Sequence, residues 1–409
     1  MRAAEITLAE VCESVRYGYT ASASDEEVGP RFLRITDIVP ESINWDAVPF
    51  CPIEDEDRER FALQPGDIVV ARTGATVGYA KLIREEVDAV FASYLVRFRV
   101  DEEKAYPRYV GHLVESSTYK SFVQSQVGGA AQPNANAQVL GTFKFSLPPR
   151  REQEKIASVL SGYDELMENN RRRMGLLEES ARLLYREWFV RLRFPGSRAV
   201  AGAKADGHEH ARLTNGIPEG WERVPTPEAI EINPTTKLSD EEEHWYVEMA
   251  DLPTDSMVIQ NAIKRDGRSG SKFRNGDTLL ARITPCLENG KTGFVNFMAD
   301  GEAGRGSTEF IVLRSKRVTP AFVYCLARTY HFRENGIKSM IGSSGRQRVQ
   351  ESCFEKFMVL IPPRPLLDLF SESAEPIFQQ IKVLDAQNQK LRTARDLLLP
   401  RLMSGEIAV

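Results

Sequence analysis

Gly290-Lys291-Thr292 ends like a phosphate-binding loop, in which backbone amides and a lysine cradle the phosphates of a nucleotide. Such a loop needs an earlier glycine, here at position 285, and a strand leading straight into a helix. The chain has Pro285 at that point and no such succession, so nucleotide hydrolysis is not implied. Asn233-Pro234-Thr235-Thr236 begins like the Asn-Pro-Pro-aromatic motif of amino-methyltransferases but lacks the second proline and the aromatic. The five histidines stand beside no obvious nucleophile, and no carboxylate–lysine nuclease cluster is defensible. His208 and His210 are close enough to share a metal, yet no third or fourth ligand is spaced to help them, so no metal site is expected. What remains is hydrogen-bonding chemistry rather than bond making, and the chain is not expected to be an enzyme.

The elements that would position such groups come in duplicate. Ala62-Leu63-Gln64-Pro65-Gly66-Asp67-Ile68-Val69-Val70-Ala71-Arg72 is answered by Phe273-Arg274-Asn275-Gly276-Asp277-Thr278-Leu279-Leu280-Ala281-Arg282. Leu33-Arg34-Ile35-Thr36-Asp37-Ile38 is answered by Val247-Glu248-Met249-Ala250-Asp251-Leu252, Ser93 to Arg99 by Thr308 to Arg314, and Leu147-Pro148-Pro149-Arg150 by Ile361-Pro362-Pro363-Arg364. The echoes keep one order and an offset near 210–215 residues, too long a unit for a solenoid repeat of roughly 20–50 residues. They describe a duplicated domain, which suits two similar sites on one extended target.

With 409 residues, each copy is long enough to bury its own core. No apolar run approaches the roughly 20 residues that cross a bilayer, and Glu5 and Glu10 near Met1 do not read as a signal peptide. The five cysteines are odd in number, far apart and without a C-x-x-C pair, which predicts reduced thiols and a cytoplasmic protein. A net charge of −5 argues against indiscriminate binding to nucleic acid but leaves room for local basic loops.

Within each copy, Gly-Asp turns open β-rich runs at Ile68–Ala71 and Thr278–Ala281. Further runs follow at Tyr79–Ile83 and Gly293–Phe297, and at Tyr94–Val100 and Glu309–Leu313. Pro107 and Pro320 sit where first-turn helical prolines belong. Polar loops, Gly128–Ala137 and Gly342–Arg348, precede last strands at Thr142–Leu147 and Phe357–Ile361.

Beyond each double proline the period changes to three and a half. Ile156, Leu160, Tyr163, Met167, Asn170, Met174, Leu177, Ala181, Leu184 and Trp188 alternate in steps of four and three. Phe370, Ala374, Ile377, Ile381, Leu384, Asn388, Leu391, Arg395, Leu398 and Leu402 do the same. Ten positions over more than four heptads predict a coiled coil, with a kink or a late helix start at Pro376. Asn170 is fifth in its stripe and Asn388 sixth. An antiparallel pairing with matched ends would bring the two amides together as a register pin, whereas a parallel one would not. Ile156 to Trp188 would span about 48 Å at about 1.5 Å per residue.

The end of the second stripe, Leu391-Arg392-Thr393-Ala394-Arg395-Asp396-Leu397-Leu398-Leu399-Pro400-Arg401-Leu402-Met403-Ser404-Gly405-Glu406-Ile407, strongly resembles the C-terminal signature of specificity subunits of type I restriction–modification systems. Leu184-Tyr185-Arg186-Glu187-Trp188-Phe189 is similar to the end of that family's central helix, and Ile217-Pro218-Glu219-Gly220-Trp221-Glu222 to the opening of its second recognition domain. The resemblance extends over essentially the whole chain. It implies an α+β protein with two similar mixed α/β target recognition domains, separated by two long helices forming an antiparallel coiled coil. The corresponding boundaries are 1–150 for the first recognition domain, 151–194 for the central helix, 195–215 for a linker, 216–364 for the second recognition domain and 365–405 for the C-terminal helix.

The resemblance also implies a non-catalytic reader of double-stranded DNA that serves phage defence. Each domain would read half of a bipartite, asymmetric site, and the helices would set the spacer and dock two methyltransferase (modification) subunits. Two motor-nuclease (restriction) subunits would join, so that S-adenosylmethionine, ATP and Mg belong to partners and this chain holds no cofactor. A recognition scaffold of another phage-defence complex is the alternative, whereas a fused restriction–modification enzyme would need methyltransferase motifs that are missing here.

For a DNA reader, the loops offer the contacts. Arg72-Thr73-Gly74-Ala75-Thr76 follows a strand with a guanidinium, two hydroxyls and bare backbone suited to phosphate. Its counterpart is Arg282-Ile283-Thr284, with Lys291 downstream. Gln132, Asn134 and Asn136 carry amides that match adenine edges, while Arg346, Gln347 and Arg348 at the corresponding place suit guanine or phosphate.

Overall fold

The computed structural model describes residues 4–127, 133–195, 213–214, 217–343, 345–407 and 409. They form two compact units, Met1–Glu168 with Gln389–Val409, and Asn169–Asn388, so both long helices contribute to each unit. Gln132, His208 and His210 lie outside the described residues, as does most of the expected linker.

In the first unit, an antiparallel sheet runs in the order Cys12–Tyr17, Leu95–Val100, Asp67–Ala71, Ala80–Leu82. The second unit repeats it as Ile230–Ile232, Phe310–Ser315, Thr278–Ala281, Thr292–Phe294. Even the register is shared, because Ile68 faces Phe98 where Thr278 faces Leu313. Period-two alternation covers both faces. Ile68, Val70, Val96 and Phe98 pack with Tyr109, Val110, Ile156 and Leu160, while Val69, Ala71 and Leu95 pack with Phe32, Leu33 and Phe91. Each such large side chain contributes about 1.5–3 kcal/mol by leaving water.

The Gly-Asp turns do more than open strands. Gly66 and Gly276 take φ of 96° and 89°, a region that favours glycine. The following aspartates are buried and each binds an arginine of the neighbouring strand. Asp67 accepts from Arg99 Nε and Nη2, both at 2.7 Å, and Asp277 from Arg314 Nε and Nη2 at 2.8 and 2.7 Å. This repeated motif is therefore a structural clamp between strands.

Pro107 and Pro320 do begin helices, Pro107–Val114 and Pro320–Ala327. A short antiparallel pair closes each copy, Ala4–Thr7 with Lys144–Leu147 and Glu222–Pro225 with Met358–Ile361. The sequence did not signal the parallel pairings of Arg31–Leu33 with Ala89–Phe91, and of Glu243–Val247 with Ala303–Gly306.

The long helices run Arg150–Tyr185, followed by a π-helical turn at Arg186–Val190, and Arg364–Met403. Every stripe position named above is buried or half-buried. Within each unit they run antiparallel. In the first, Asp164 meets Arg395; in the second, Asn170 meets Asn388 and Tyr185 meets Phe370. The late start expected at Pro376 is not found, since the second helix begins twelve residues earlier, at Arg364. Pro376 is exposed, where water can serve the carbonyl that its missing N–H leaves unpaired. All five cysteines are free thiols. Among the described residues, no helix is long and apolar enough to cross a membrane.

Candidate nucleic-acid interface

The same strand end organises a loop pair in each unit. After Asp67–Ala71, the Arg72 carbonyl accepts from Ala135 N–H at 2.9 Å and Gly74 N–H donates to the Pro133 carbonyl at 2.9 Å. After Thr278–Ala281, the Arg282 carbonyl accepts from Val349 N–H at 2.8 Å and Thr284 N–H donates to the Gln347 carbonyl at 3.0 Å. The candidate strand-end loop and the candidate polar loop are thus laced together by backbone bonds in both copies. Their side chains are presented from a common, fixed base.

In the first unit, the Arg72 guanidinium lies over the Tyr17 ring, 4.9 Å from its centroid, and Nη2 donates to Asn134 Oδ1 at 3.4 Å. Tyr17, 41% exposed, also accepts from Ala137 N–H at 2.9 Å through its hydroxyl. It supports both loops, a role that only the fold reveals. The Thr76 hydroxyl turns back to the Thr73 carbonyl at 3.5 Å. Gly74 has φ of 74° and no atom near where a Cβ would stand, so backbone is open there. Asn134 is exposed. Asn136 is exposed as well, but its Oδ1 caps the helix Ala137–Gly141 by accepting from Val139 N–H at 2.8 Å.

The second unit fills the same frame differently. Arg348 Nε and Nη2 grip the Glu309 carboxylate at 2.7–3.0 Å. Arg282 lies between Glu309 (3.9 Å) and Glu351 (3.5 Å). Hydrogen bonding to Arg348 lowers the Glu309 carboxyl below its ordinary range, against the opposing effect of burial. Thr284 is buried and its hydroxyl accepts from Gln347 N–H at 3.0 Å. Lys291 Nζ donates to the Met249 carbonyl at 2.7 Å, which makes it a tie between segments. Arg346 is exposed and has no ion pair among the described residues. Glu351 carries no periodic or motif signal, and the repeat marks Glu309 only as the start of a strand, so the sequence did not single out either carboxylate.

On the helices, Asn170 Nδ2 donates to Asn388 Oδ1 at 2.9 Å, and both residues are buried. Two amides that satisfy each other cost far less to bury than either alone.

Residues 3–179 match the type I restriction modification DNA specificity domain. The chain is 24% identical over 360 residues to the MjaIX specificity subunit of Methanocaldococcus jannaschii, covering 84% of this chain and 78% of that protein. Residues 3–179 thus carry the specificity domain of type I restriction–modification systems. The EcoEI specificity subunit of Escherichia coli is 30% identical over 209 residues, 47% of this chain and 35% of that relative. A crystal structure of the type I restriction-modification system S subunit from M. genitalium matches with a TM-score of 0.50 at 13% identity, over 98% of this chain and 96% of that one. At that identity the likeness bears on the fold alone, which is the mixed helix-and-sheet architecture with long helices described above.

Proposed function

We propose that this chain is the non-catalytic sequence reader of a type I restriction–modification complex, each unit reading one half of a bipartite, asymmetric DNA site. One observation carries this reading: a single sheet frame occurs twice with unlike side chains on the same loop pair. Arg72, Tyr17 and Asn134 stand in one copy, and Arg282, Arg348 and Glu309 in the other. Similar frames suit similar docking on the duplex, and unlike loops suit half-sites of unlike sequence. In this reading the paired helices set the spacer and dock two methyltransferase subunits, and two motor-nuclease subunits complete the complex. Half-sites on one face of the duplex lie roughly 34–36 Å apart, within the reach of a helix pair about 48 Å long. S-adenosylmethionine, ATP and Mg are assigned to the partners.

The purified chain alone is expected to show no methyltransferase, ATPase or nuclease activity, and to gain sequence-specific adenine methylation when a modification subunit is added. Robust methylation by the chain alone would overturn the reading. Sequencing of methylated sites in cells carrying the complete operon gives the target directly.

Arg72→Ala is expected to weaken binding to all sequences about equally and to flatten the salt dependence by roughly one counterion, because a phosphate contact carries no sequence information. Competition binding at two salt concentrations measures this. Loss confined to one base pair would make Arg72 a base reader instead.

A further inference from the structure

Arg348 occupies in the second unit the backbone position that Asn134 occupies in the first. Asn134 pairs across to Thr73 and Arg348 to Ile283, each beside the arginine that ends the matching strand. Glu309 likewise takes the place of Tyr94: the Arg72 N–H donates to the Tyr94 carbonyl at 3.1 Å, and the Arg282 N–H to the Glu309 carbonyl at 2.9 Å. The second unit has therefore acquired an arginine and the carboxylate that holds it at corresponding points.

The geometry of that grip leaves a specific edge free. A guanidinium carries five N–H donors in a rigid plane. Glu309 accepts from Nε at 2.9 and 3.0 Å and from Nη2 at 2.7 Å, so it occupies the Nε side of the plane. The tip, with Nη1 and the remaining Nη2 hydrogen, keeps two parallel donors, and the Arg348 side chain is 45% exposed. Two parallel donors match the O6 and N7 acceptors that guanine shows in the major groove.

The charges favour a base over the backbone. Arg282 and Arg348 are balanced by Glu309 and Glu351. A neutralised guanidinium gains little from an anionic phosphate, since that attraction depends on net charge, but keeps its hydrogen bonds to a neutral base edge. Exposed Arg346, two residues earlier, keeps its charge for phosphate.

We propose that Arg348 reads a guanine in the half-site of the second unit, and that Glu309 is the positioning residue that turns its tip toward the base. The proposal rests on the reading of the chain as a DNA sequence reader. At the matching point Asn134 offers an amide suited to adenine, so the two units differ in the purine they favour.

The test uses the complex of this chain with its modification subunits, compared as wild type, Arg348→Ala, Arg348→Lys and Glu309→Gln. Methylated sites are sequenced, and competition binding is measured over variants of both half-sites at two salt concentrations. A wild-type complex without a bipartite site would remove the underlying reading rather than this assignment. Given such a site, Arg348→Ala should lose roughly 5- to 150-fold of discrimination at one G·C pair of one half-site and leave the other half unchanged. Glu309→Gln should lose preference at that same pair and steepen the salt dependence, because the freed arginine turns to phosphate. Arg348→Lys keeps the charge and can still reach guanine but loses the planar edge that Glu309 orients, so its discrimination at that pair should fall between parent and alanine variant, which decides the matter if the alanine protein assembles poorly. Retained guanine preference in the alanine variant, discrimination in the lysine variant equal to the parent's, unchanged preference and salt slope in Glu309→Gln, or a second half-site without a G·C pair would each overturn the proposal.

Discussion

Inserting one heptad between Glu168 and Asn169, and another between Asn388 and Gln389, is expected to lengthen the preferred DNA spacer by about three base pairs. The bases read in each half should not change. Seven helical residues add about 10 Å, and a base pair rises about 3.4 Å. The insertion points coincide with the boundary between the two units. The Asn170–Asn388 pair therefore stays intact on one side and the Asp164–Arg395 pair on the other. A whole heptad also preserves the apolar seam, where an insertion of four or three residues would rotate it. Three base pairs turn the duplex by about a third of a helical turn, so affinity for the shifted site should fall below that of the parent for its own. Sequencing of methylated sites in cells that carry the doubly extended chain reads spacer and half-sites together. A fixed spacer with altered half-sites would show that the helices do not act as a ruler.

Long-period signals were the legible part of this chain. Two stripes of ten positions announced the paired helices, and counting from matched ends placed Asn170 opposite Asn388, where the structure joins them at 2.9 Å. The Gly-Asp echo located equivalent central strands in both copies. The parallel pair of Arg31–Leu33 with Ala89–Phe91 left no trace, because three-residue strands almost sixty residues apart create no local periodicity. The interface was half legible. Arginines and amides on loops advertise hydrogen-bonding chemistry, and the polar loops could be located from the repeat. Which of those groups are already engaged could not be read: Lys291 on a backbone carbonyl, Asn136 on a helix end and Arg348 on Glu309 are all long-range facts. Arg395, the one charge in its stripe, was equally opaque until Asp164 was seen beside it.

Asp164→Ala is expected to lower the stability of the first unit by about 1–2 kcal/mol, between an exposed and a buried ion pair, because it removes the carboxylate that Arg84 and Arg395 share and leaves them only Glu115 and Asp396. Asp164, only 15% exposed at its side chain, accepts from Arg395 Nη1 at 2.7 Å and from Arg84 Nη2 at 3.1 Å. Arg84 also grips Glu115, Nη2 to Oε2 at 2.6 Å, and His112 Nδ1 lies 3.7 Å from Asp164. His112, Glu115 and Asp164 have the donor types of a metal site, but the two arginines already supply their countercharge. Burial would raise the Glu115 carboxyl, yet the Arg84 charge outweighs it and holds the group down to about 2. Burial pushes His112 below its ordinary value, and the nearby carboxylates do not offset this. Both shifts make the unit sensitive to acid. The Glu115 contribution is complete above its ordinary value of 4.5 and is lost as pH falls toward about 2. Below the ordinary 6.5 of histidine, the unfolded chain takes a proton that folded His112 refuses, which also favours unfolding. Thermal unfolding of the full chain from pH 7 to pH 3 should therefore show a falling midpoint, and Glu115→Gln should flatten its lower portion. A midpoint that falls equally in parent and Glu115→Gln would place the acid sensitivity elsewhere. An Asp164→Ala protein that melts with the parent would mean that water satisfies Arg84 and Arg395 as well as the carboxylate does.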